Sequence, residues 1–360
     1  MNKEIGSEFW IDNVSIEHVD TMPNWLTKYG DVVLTSSGRS AISLLLEQIN
    51  PKNKSVLLPA YICESVILPF INKGYKCFFY DINEDLSPKI EGIFSFNNIG
   101  IFLHIGYFGF LSNLNLINVI QKFKDESTII VEDITHTLFS NTNNFEDNDF
   151  YIGSIRKWFG VPSGGFLASK KFVLEAPQYI NEQFTKLRKE SLLLKKIYIE
   201  TKNITLKDKF LNQFSIAEEI LDNDLKPYRI DKVSSQLVRN LDYNQLVRKR
   251  KENYLHLLRN IKKSDFLQPL FPSINDDVCP LFFPIVIKED RNKIKKKLIE
   301  EEIYCPIHWP IPVQINMNLF ENSRKLYNTE LSIPCDQRYD ISDMDKIINI
   351  INQLIESTEE

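Results

Sequence analysis

TIIVEDITH, residues 128–136, joins a run of apolar side chains to an acid and a histidine. The β-branched residues of TIIV are typical of a buried strand, and Asp133 stands where that strand would end. Ligands of open α/β sheets bind beyond the carboxyl ends of the strands, so Asp133 and His136 would lie beside a ligand site. Asp133 could equally cap the next helix and His136 could be a buried core histidine, and the segment alone leaves both alternatives open.

Similar short apolar runs lie on both sides of this segment, and segments of helical length separate them. Strands that alternate with helices predict a mainly parallel sheet with crossover helices, which is an α/β fold. The runs are SVLL (55–58), KCFFY (76–80), GIFL (100–103) and GGFLAS (164–169).

The remainder of the chain has a different texture. Residues 180–265 are charged and helical in pattern, and the basic cluster 248–251 is expected to be a solvated helix face. Short apolar runs and a final helix over 341–356 then predict a smaller α+β domain. We place the large domain at residues 1–235 and the small C-terminal domain at 236–360.

Composition limits the classes of partner. The 360 residues carry a net charge of −5, which gives no overall attraction for nucleic acid or anionic lipid. The start, MNKEIGSEFWIDNV, lacks the pattern of a secretory signal, and no run of about 18 apolar residues predicts a membrane span. Five scattered cysteines indicate reduced thiols, so we expect a cytoplasmic protein, and no His or Cys spacing suggests a metal site.

TSSGRS, residues 35–40, precedes a helical pattern that is expected to begin at Ala41. A helix N-terminus with free backbone N–H groups can hold a phosphate dianion, and Gly38 would let the backbone approach it closely. The alternative is an ordinary serine N-cap. The segment is not a P-loop, since the Gly-Lys-Ser/Thr ending is absent.

DFYIGSIRKWFGVPSGGF, residues 149–166, places Lys157 among aromatic residues and before the pair Gly164-Gly165. A partly desolvated lysine near positive charge can act as a nucleophile toward an aldehyde and form an imine. The alternative is a solvated surface lysine, although Lys170 and Lys171, beyond the glycine pair, fit a catalytic role less well.

A phosphate cup, an acid at a strand end and a lysine about 24 positions later occur here in the order used by aminotransferases of the aspartate aminotransferase fold. On these residues the sequence resembles the DegT-like (DegT/DnrJ/StrS) sugar aminotransferases, which depend on pyridoxal 5′-phosphate (PLP), over most of its length. The matching segments are SSGRSAISLLL, LLPAYICESVI, VEDITH, GSIRKW, IYCPIHWPIP (303–312) and LSIPCDQRYDISDMDKIINII (331–351).

The resemblance implies a PLP-dependent transferase of fold type I, with a seven-stranded, mainly parallel sheet. Lys157 would carry PLP as a Schiff base and move the proton between substrate and cofactor. Asp133 would pair with the pyridine nitrogen, and His136 would lie beside the ring. The phosphate cup would include Ser37, Gly38, Arg39 and Ser154.

This sequence departs from the family pattern at three positions. Arg39 replaces the usual threonine, and Ser154 precedes Lys157 by three residues where five is more common. The aromatic residue that usually stacks on the cofactor ring aligns with Cys63, so either Tyr61 stacks on the ring instead or the ring rests on a weaker partner.

Two further histidines are candidates. His104 lies two positions off the family alignment, so we expect a structural role for it. His308 and Trp309 fall in a segment that borders the substrate in the family, and both substrate contact and a purely structural role remain open.

The resemblance further implies a homodimer and amino transfer from glutamate, or glutamine, to a keto group of a nucleotide-linked sugar for a polysaccharide or another glycoconjugate. A PLP enzyme acting on a smaller keto or amino compound is the first alternative. A non-catalytic binding or regulatory protein with the same fold is the second, and the presence of Lys157 and Asp133 weighs against it. The identity of the keto substrate, the amino donor and the regiochemistry stay open.

Overall fold

The computed structural model describes residues 4–11, 18–141 and 147–359. Within them strands and helices alternate from β2 to β6, as the sequence pattern predicts, whereas β7 and β8 follow β6 without an intervening α-helix. The strands are β1 Ile5–Gly6, β2 Asp31–Thr35, β3 Ser55–Pro59, β4 Lys76–Tyr80, β5 Ile101–Ile105, β6 Ile129–Asp133, β7 Phe150–Gly153, β8 Gly165–Ser169, β9 Leu267–Pro269, β10 Phe283–Ile287, β11 Ile303–Tyr304 and β12 Glu330–Ile333.

The helices lie on both faces of the main sheet and in the C-terminal part. Four of them, α6 to α9, occupy the charged region that was predicted to be helical. They are α1 Asn24–Thr27, α2 Gly38–Gln48, α3 Glu64–Asn72, α4 Ile90–Phe94, α5 Ile117–Asp125, α6 Glu182–Thr201, α7 Ile204–Asn223, α8 Lys232–Arg239, α9 Tyr243–Asn260, α10 Arg291–Glu300, α11 Glu321–Thr329 and α12 Ile341–Glu359.

The main sheet has seven strands in the order β2-β8-β7-β6-β5-β3-β4. All neighbouring pairs are parallel except those of β8, which is antiparallel to both β2 and β7. Because β8 is antiparallel to both of its neighbours, β2 and β7 run in the same direction. The carboxyl ends of β2, β6 and β7 therefore lie at the same edge of the sheet. The predicted seven-stranded, mainly parallel sheet is confirmed.

Both faces of this sheet are covered. Val56 and Leu58 of β3 pack into one hydrophobic cluster, whereas Leu57 packs into another on the opposite face. All three side chains are fully buried. This arrangement explains the continuous apolar runs of the sequence, because strands with two buried faces lack the apolar and polar alternation of a half-exposed strand.

The C-terminal part forms a three-stranded antiparallel sheet in the order β12-β10-β9. Helix α12 packs along α9, and α10 and α11 contact this sheet. The N-terminal strand β1 pairs in parallel with β11, so the first residues of the chain are joined to the C-terminal part. The division at residues 235 and 236 stays a prediction.

One expectation about the helices is wrong. The basic cluster 248–251 is not uniformly solvated, because Arg250 is fully buried. Its guanidinium donates to the carbonyls of Leu281 at 2.8 Å and Trp158 at 3.1 Å, which compensate for the loss of water.

Candidate active site

A cavity of about 630 Å³ opens at the edge of the main sheet where β2, β6 and β7 end. Residues that follow these strands form its inner wall, and the hairpin of α6 and α7 contributes one side. The C-terminal part closes the side that faces the inner wall. Of the predicted site residues, those that line the cavity are Ser37, Gly38, Arg39, Cys63, Asp133, His136, Ser154, Lys157, His308 and Trp309.

The phosphate segment lies at the start of α2, which begins at Gly38 and not at the predicted Ala41. The helix starts earlier because the side chain of Ser37 caps it, accepting the backbone N–H of Ser40 at 3.1 Å. The N-cap and the anion site are therefore compatible, since Gly38 and Arg39 occupy the first turn, where backbone N–H groups have no partner within the helix.

Gly38 and Ser154 lie next to each other despite the shortened spacing from Ser154 to Lys157. A Cβ atom added to Gly38 would be 3.5 Å from the Cβ of Ser154. Gly165 makes this approach possible, because a Cβ atom there would lie 2.2 Å from the backbone oxygen of Ser37. A glycine at position 165 is thus required for β8 to run beside the phosphate segment.

Asp133 is the last residue of β6, as predicted, and is only 6% exposed. Its Oδ1 accepts the backbone N–H of Thr135 at 2.8 Å. Burial raises the pKa of Asp133, and the hydrogen bonds from Thr135 partly oppose that effect. A buried carboxylate at this position can hold a proton on a basic ring nitrogen.

Lys157 ends a short 3-10 turn that follows β7, and it is exposed within the cavity. The expected partial desolvation of this lysine is therefore not present in the single chain. The next residue, Trp158, is fully buried, and its indole N–H donates to the carbonyl of Thr135 at 2.7 Å. The carbonyl of Trp158 accepts from Arg250 and from Gln337, at 3.1 and 2.8 Å. These contacts fix the backbone that carries Lys157.

Three arginines surround one carboxylate beside the phosphate segment. Arg39 lies 3.2 Å from Glu218, Arg188 lies 3.6 Å from it, and Arg156 forms an ion pair with it. Burial alone would raise the pKa of Glu218, but Arg156, Arg188 and Arg39 outweigh this and hold it well below its usual range. Arg156 is thus paired with Glu218 of α7 while it also lines the cavity.

This cluster tests whether the site fits a phosphorylated cofactor. The Nε atoms of Arg39, Arg156 and Arg188 are buried without hydrogen-bond partners in the described structure. Buried guanidinium donors without partners are costly unless an anion binds them. Together with the N-terminus of α2, they form a donor set suited to a phosphate dianion, so the residues present fit PLP.

His136 is buried and its Nδ1 accepts the backbone N–H of Phe108 at 3.3 Å. Burial lowers the pKa of His136 well below its usual value, and His308 and Lys157 lower it further. The imidazole is therefore neutral, and its Nε2 can donate a hydrogen bond. Its ring centroid lies 5.3 Å from that of Trp309 and 5.6 Å from that of His308.

Tyr61 is not among the cavity-lining residues. Its ring packs against those of Tyr107, Trp309 and Tyr327, with centroids 4.9 to 5.5 Å apart. The structure therefore does not support Tyr61 as the stacking residue, because this aromatic packing holds its ring behind the cavity wall. Cys63 does line the cavity, at the N-cap of α3.

His104 has the structural role that we expected. It is fully buried, its Nε2 is 3.0 Å from Asn148, and its Nδ1 is 2.9 Å from Asn113. Both amides also donate to Glu132. Among the described residues, no group of three His, Cys, Asp or Glu side chains is placed to hold a metal ion, and no helix is long and apolar enough to cross a membrane.

Several cavity residues were missed at the sequence level. Arg188 and Glu218 reach the cavity from α6 and α7, and Arg250 reaches it from α9. Charged residues are frequent in these helices, so no local pattern separates these three from the solvated ones. The sequence does offer one signal for Arg250. It lies four residues from both Leu246 and Tyr254, on the apolar side of its helix, where a solvated arginine is not expected.

The fold of this chain is similar to that of solved sugar aminotransferases. PseC of Helicobacter pylori, an aminotransferase of pseudoaminic acid biosynthesis, has a TM-score of 0.71 at 15% identity, covering 99% of this chain and 100% of that one. The PLP form of the putative sugar aminotransferase Spr1654 of Streptococcus pneumoniae has a TM-score of 0.68 at 15% identity, with 92% and 88% covered.

A DegT DnrJ EryC1 StrS aminotransferase of Brucella abortus has a TM-score of 0.62 at 16% identity, covering 92% of this chain and 88% of that one. No family model and no curated protein sequence matches the chain. The predicted resemblance to DegT-like aminotransferases is therefore confirmed in the fold, which is that of the type I PLP-dependent transferases.

Proposed function

We propose that this chain, which has the fold of the sugar aminotransferases, is a PLP-dependent aminotransferase. The observation that carries the proposal is the convergence of Lys157, Asp133 and the phosphate segment at one edge of the sheet, on a single cavity. Strands β2, β6 and β7 bring these groups together although more than a hundred residues separate the first from the last.

Each residue has a distinct task in this proposal. Ser37, Gly38 and Ser154 hold the phosphate, and Arg39 supplies charge beside it. Asp133 keeps a proton on the pyridine nitrogen, which a buried carboxylate does by favouring the charged form of its partner. When bound, PLP supplies an electron sink for the pair released from the bond to the transferred hydrogen.

Lys157 is the residue that binds the cofactor covalently and then moves the proton. Its amine is exposed in the cavity while the backbone on both sides is fixed by Trp158 and Thr135. An exposed amine on a hydrogen-bonded loop suits a group that must bind, release and accept a proton in successive steps.

The acceptor in this proposal is the keto group of a nucleotide-linked sugar, and the donor is glutamate or glutamine. In support, the cavity continues from the phosphate segment to Lys295 and Ile299 of α10, so its outer part adjoins a cation that suits a diphosphate. We further propose a homodimer located in the cytoplasm, and a product destined for a polysaccharide or another glycoconjugate.

The test is a panel of acceptors with the purified, PLP-loaded protein. Nucleotide keto-sugars and simple 2-keto acids are offered with glutamate and with glutamine, and the aminated product is detected by mass spectrometry. We expect turnover with a nucleotide keto-sugar. Turnover confined to small keto acids would contradict the sugar assignment, and absence of turnover and of cofactor binding would contradict the enzyme assignment.

A further inference from the structure

A hydrogen-bonded chain of three side chains leads from the cavity into the C-terminal part. His308 Nδ1 lies 2.8 Å from Ser332 Oγ, and Ser332 Oγ is hydrogen-bonded to Oε1 of Glu330. The other carboxyl oxygen, Oε2, accepts the backbone N–H of His308 at 2.9 Å. Glu330 and Ser332 are completely buried, and His308 is 4% exposed. The carboxyl group is therefore linked to the cavity through Ser332 and the imidazole.

The two inner residues share one face of β12, since residues two apart along a strand point the same way. His308 itself lines the cavity, and its ring packs edge-on against those of His136 and Trp309. Because Ser332 occupies Nδ1, Nε2 is the ring nitrogen that remains for a ligand in the cavity.

We propose that His308, Ser332 and Glu330 form a proton relay that acts on the oxygen of the keto substrate through His308 Nε2. The inference rests on the proposed amino transfer. Replacement of a keto oxygen by nitrogen expels that oxygen as water, and both hydrogens of the water come from the incoming amino group. The first hydrogen passes from the nitrogen to the oxygen when the amine adds to the carbonyl carbon. His308 Nε2 then gives the second proton to the resulting hydroxyl as the C–O bond breaks, and the last proton that the nitrogen releases refills the relay.

The relay has two states that differ by one proton. In the first, Glu330 is ionised, Ser332 donates to it, Nδ1–H of His308 donates to Ser332, and Nε2 is bare. In the second, the carboxylic acid donates to Ser332, the hydroxyl donates to Nδ1, and Nε2 carries the hydrogen. The imidazole is neutral in both states, so a proton taken up at Nε2 is stored on Glu330.

The surroundings favour storage on the carboxyl group. Burial lowers the pKa of His308 to about 3, and the charge of Lys157 contributes, so an imidazolium is unfavourable. Burial raises the pKa of Glu330 to about 8, which allows it to exchange a proton near neutral pH. The other titratable or charged groups that act on the relay are Arg291, Lys295, Cys305, Tyr61 and His136.

The direct test is nuclear magnetic resonance of the full-length, purified protein with ¹⁵N-labelled histidine, in which His308→Asn assigns the signal of His308. We expect this signal to change from the Nε2–H to the Nδ1–H tautomer as the pH rises through about 8, with the ring neutral throughout. A single tautomer across that pH, or an imidazolium below it, would overturn the relay.

Two variants separate the relay from a purely structural role. Glu330→Gln reproduces the protonated carboxyl group, because the amide N–H donates to Ser332 while the amide oxygen accepts the backbone N–H of His308. We therefore expect His308 to keep the Nε2–H tautomer at every pH. Ser332→Ala removes the link and is expected to abolish the change of tautomer. His256, paired with Asp345 at the surface, supplies the control, since Asp345→Asn should leave the His308 signal unaltered.

Turnover provides the second readout once an acceptor is identified. We expect His308→Asn to lower kcat about 10²-fold, and Glu330→Gln about tenfold, with KM for the acceptor nearly constant. Unaltered kcat in both variants would overturn the relay while leaving the aminotransferase assignment intact. A change of tautomer in a protein that aminates no acceptor would instead count against the proposed function alone.

Discussion

The cavity has two walls that differ in chemistry and in how the chain builds them. The sheet wall consists of Ser37 to Arg39, Asp133 and Ser154 to Lys157, each at or shortly after the end of a strand of the main sheet. The small-domain wall consists of His308 and Trp309, with Glu330 and Ser332 behind them. The first is rich in charge, and the second is aromatic and holds His308, whose pKa burial lowers.

The two walls are specified in different ways, one by residues at strand ends and the other by packing between segments that are distant in sequence. Local strand-end residues specify the sheet wall, because parallel strands bring their carboxyl ends to a common edge. Side-chain packing between distant segments specifies the small-domain wall, where His308 meets β12. Covalent cofactor chemistry is accordingly assigned to the first wall and proton transfer to the substrate oxygen to the second.

The largest expected effect concerns the sheet wall. We predict that Lys157→Ala lowers kcat at least about 10³-fold, because it removes both the covalent attachment and the proton-transfer group. The rate is measured with a confirmed acceptor under saturating PLP. Lys170→Ala is the control, since Lys170 is exposed beyond the glycine pair and should retain full activity. Comparable losses in the two variants would remove the distinction between Lys157 and a surface lysine.

The second effect concerns Asp133. We predict that Asp133→Asn lowers kcat about 10²-fold, since an amide cannot hold the pyridine nitrogen in its charged form. Cofactor absorbance and steady-state kinetics are measured together, and PLP is expected to remain bound.

Glu132→Gln provides the comparison, because Glu132 points to the other face of β6. There it accepts hydrogen bonds from Asn113 and Asn148, the two amides that also contact His104. Its kcat should stay within about twofold of the wild type, as expected for a residue that contacts no reacting atom. If kcat fell equally in both variants, the effect at Asp133 would reflect damage to the strand.

Only part of this arrangement could be read from the sequence. Five strands of the main sheet followed from apolar runs, and the order of the phosphate segment, Asp133 and Lys157 followed from strand-end and loop residues. The seven-stranded sheet was implied only by the family resemblance. The start of α2 was placed three residues late because the sequence does not show which serine caps the helix. No role could be assigned to Glu330 from the sequence. Its link to the cavity depends on a hydrogen bond between Ser332 and His308, which lie 24 positions apart in the chain.

A third effect tests the arginine cluster between the walls. We predict that Arg188→Gln weakens binding of PLP about tenfold and leaves binding of pyridoxal, which lacks the phosphate, nearly unaltered. Both dissociation constants are measured by titration of the cofactor-free protein. Equal weakening for the two ligands would show that Arg188 supports the fold of the cavity and not the phosphate.

The smallest effect concerns the outer end of the small-domain wall. We predict that Lys295→Gln raises KM for a nucleotide keto-sugar about threefold while KM for the amino donor is unaltered, because a partly exposed cation contributes little to binding. Initial rates at varied acceptor and donor concentrations measure both constants. An equal rise in both KM values would show that Lys295 does not act selectively on the nucleotide keto-sugar.

Whether Lys157 carries the cofactor can be measured in the absorption spectrum of the purified protein. Spectra are recorded for the wild type and for Lys157→Ala, both supplied with PLP, before and after addition of glutamate. We predict a visible band of lysine-bound cofactor in the wild type, its absence in the variant, and its conversion by glutamate to a pyridoxamine-like band. No cofactor band in the wild type, or an identical one in the variant, would contradict this prediction.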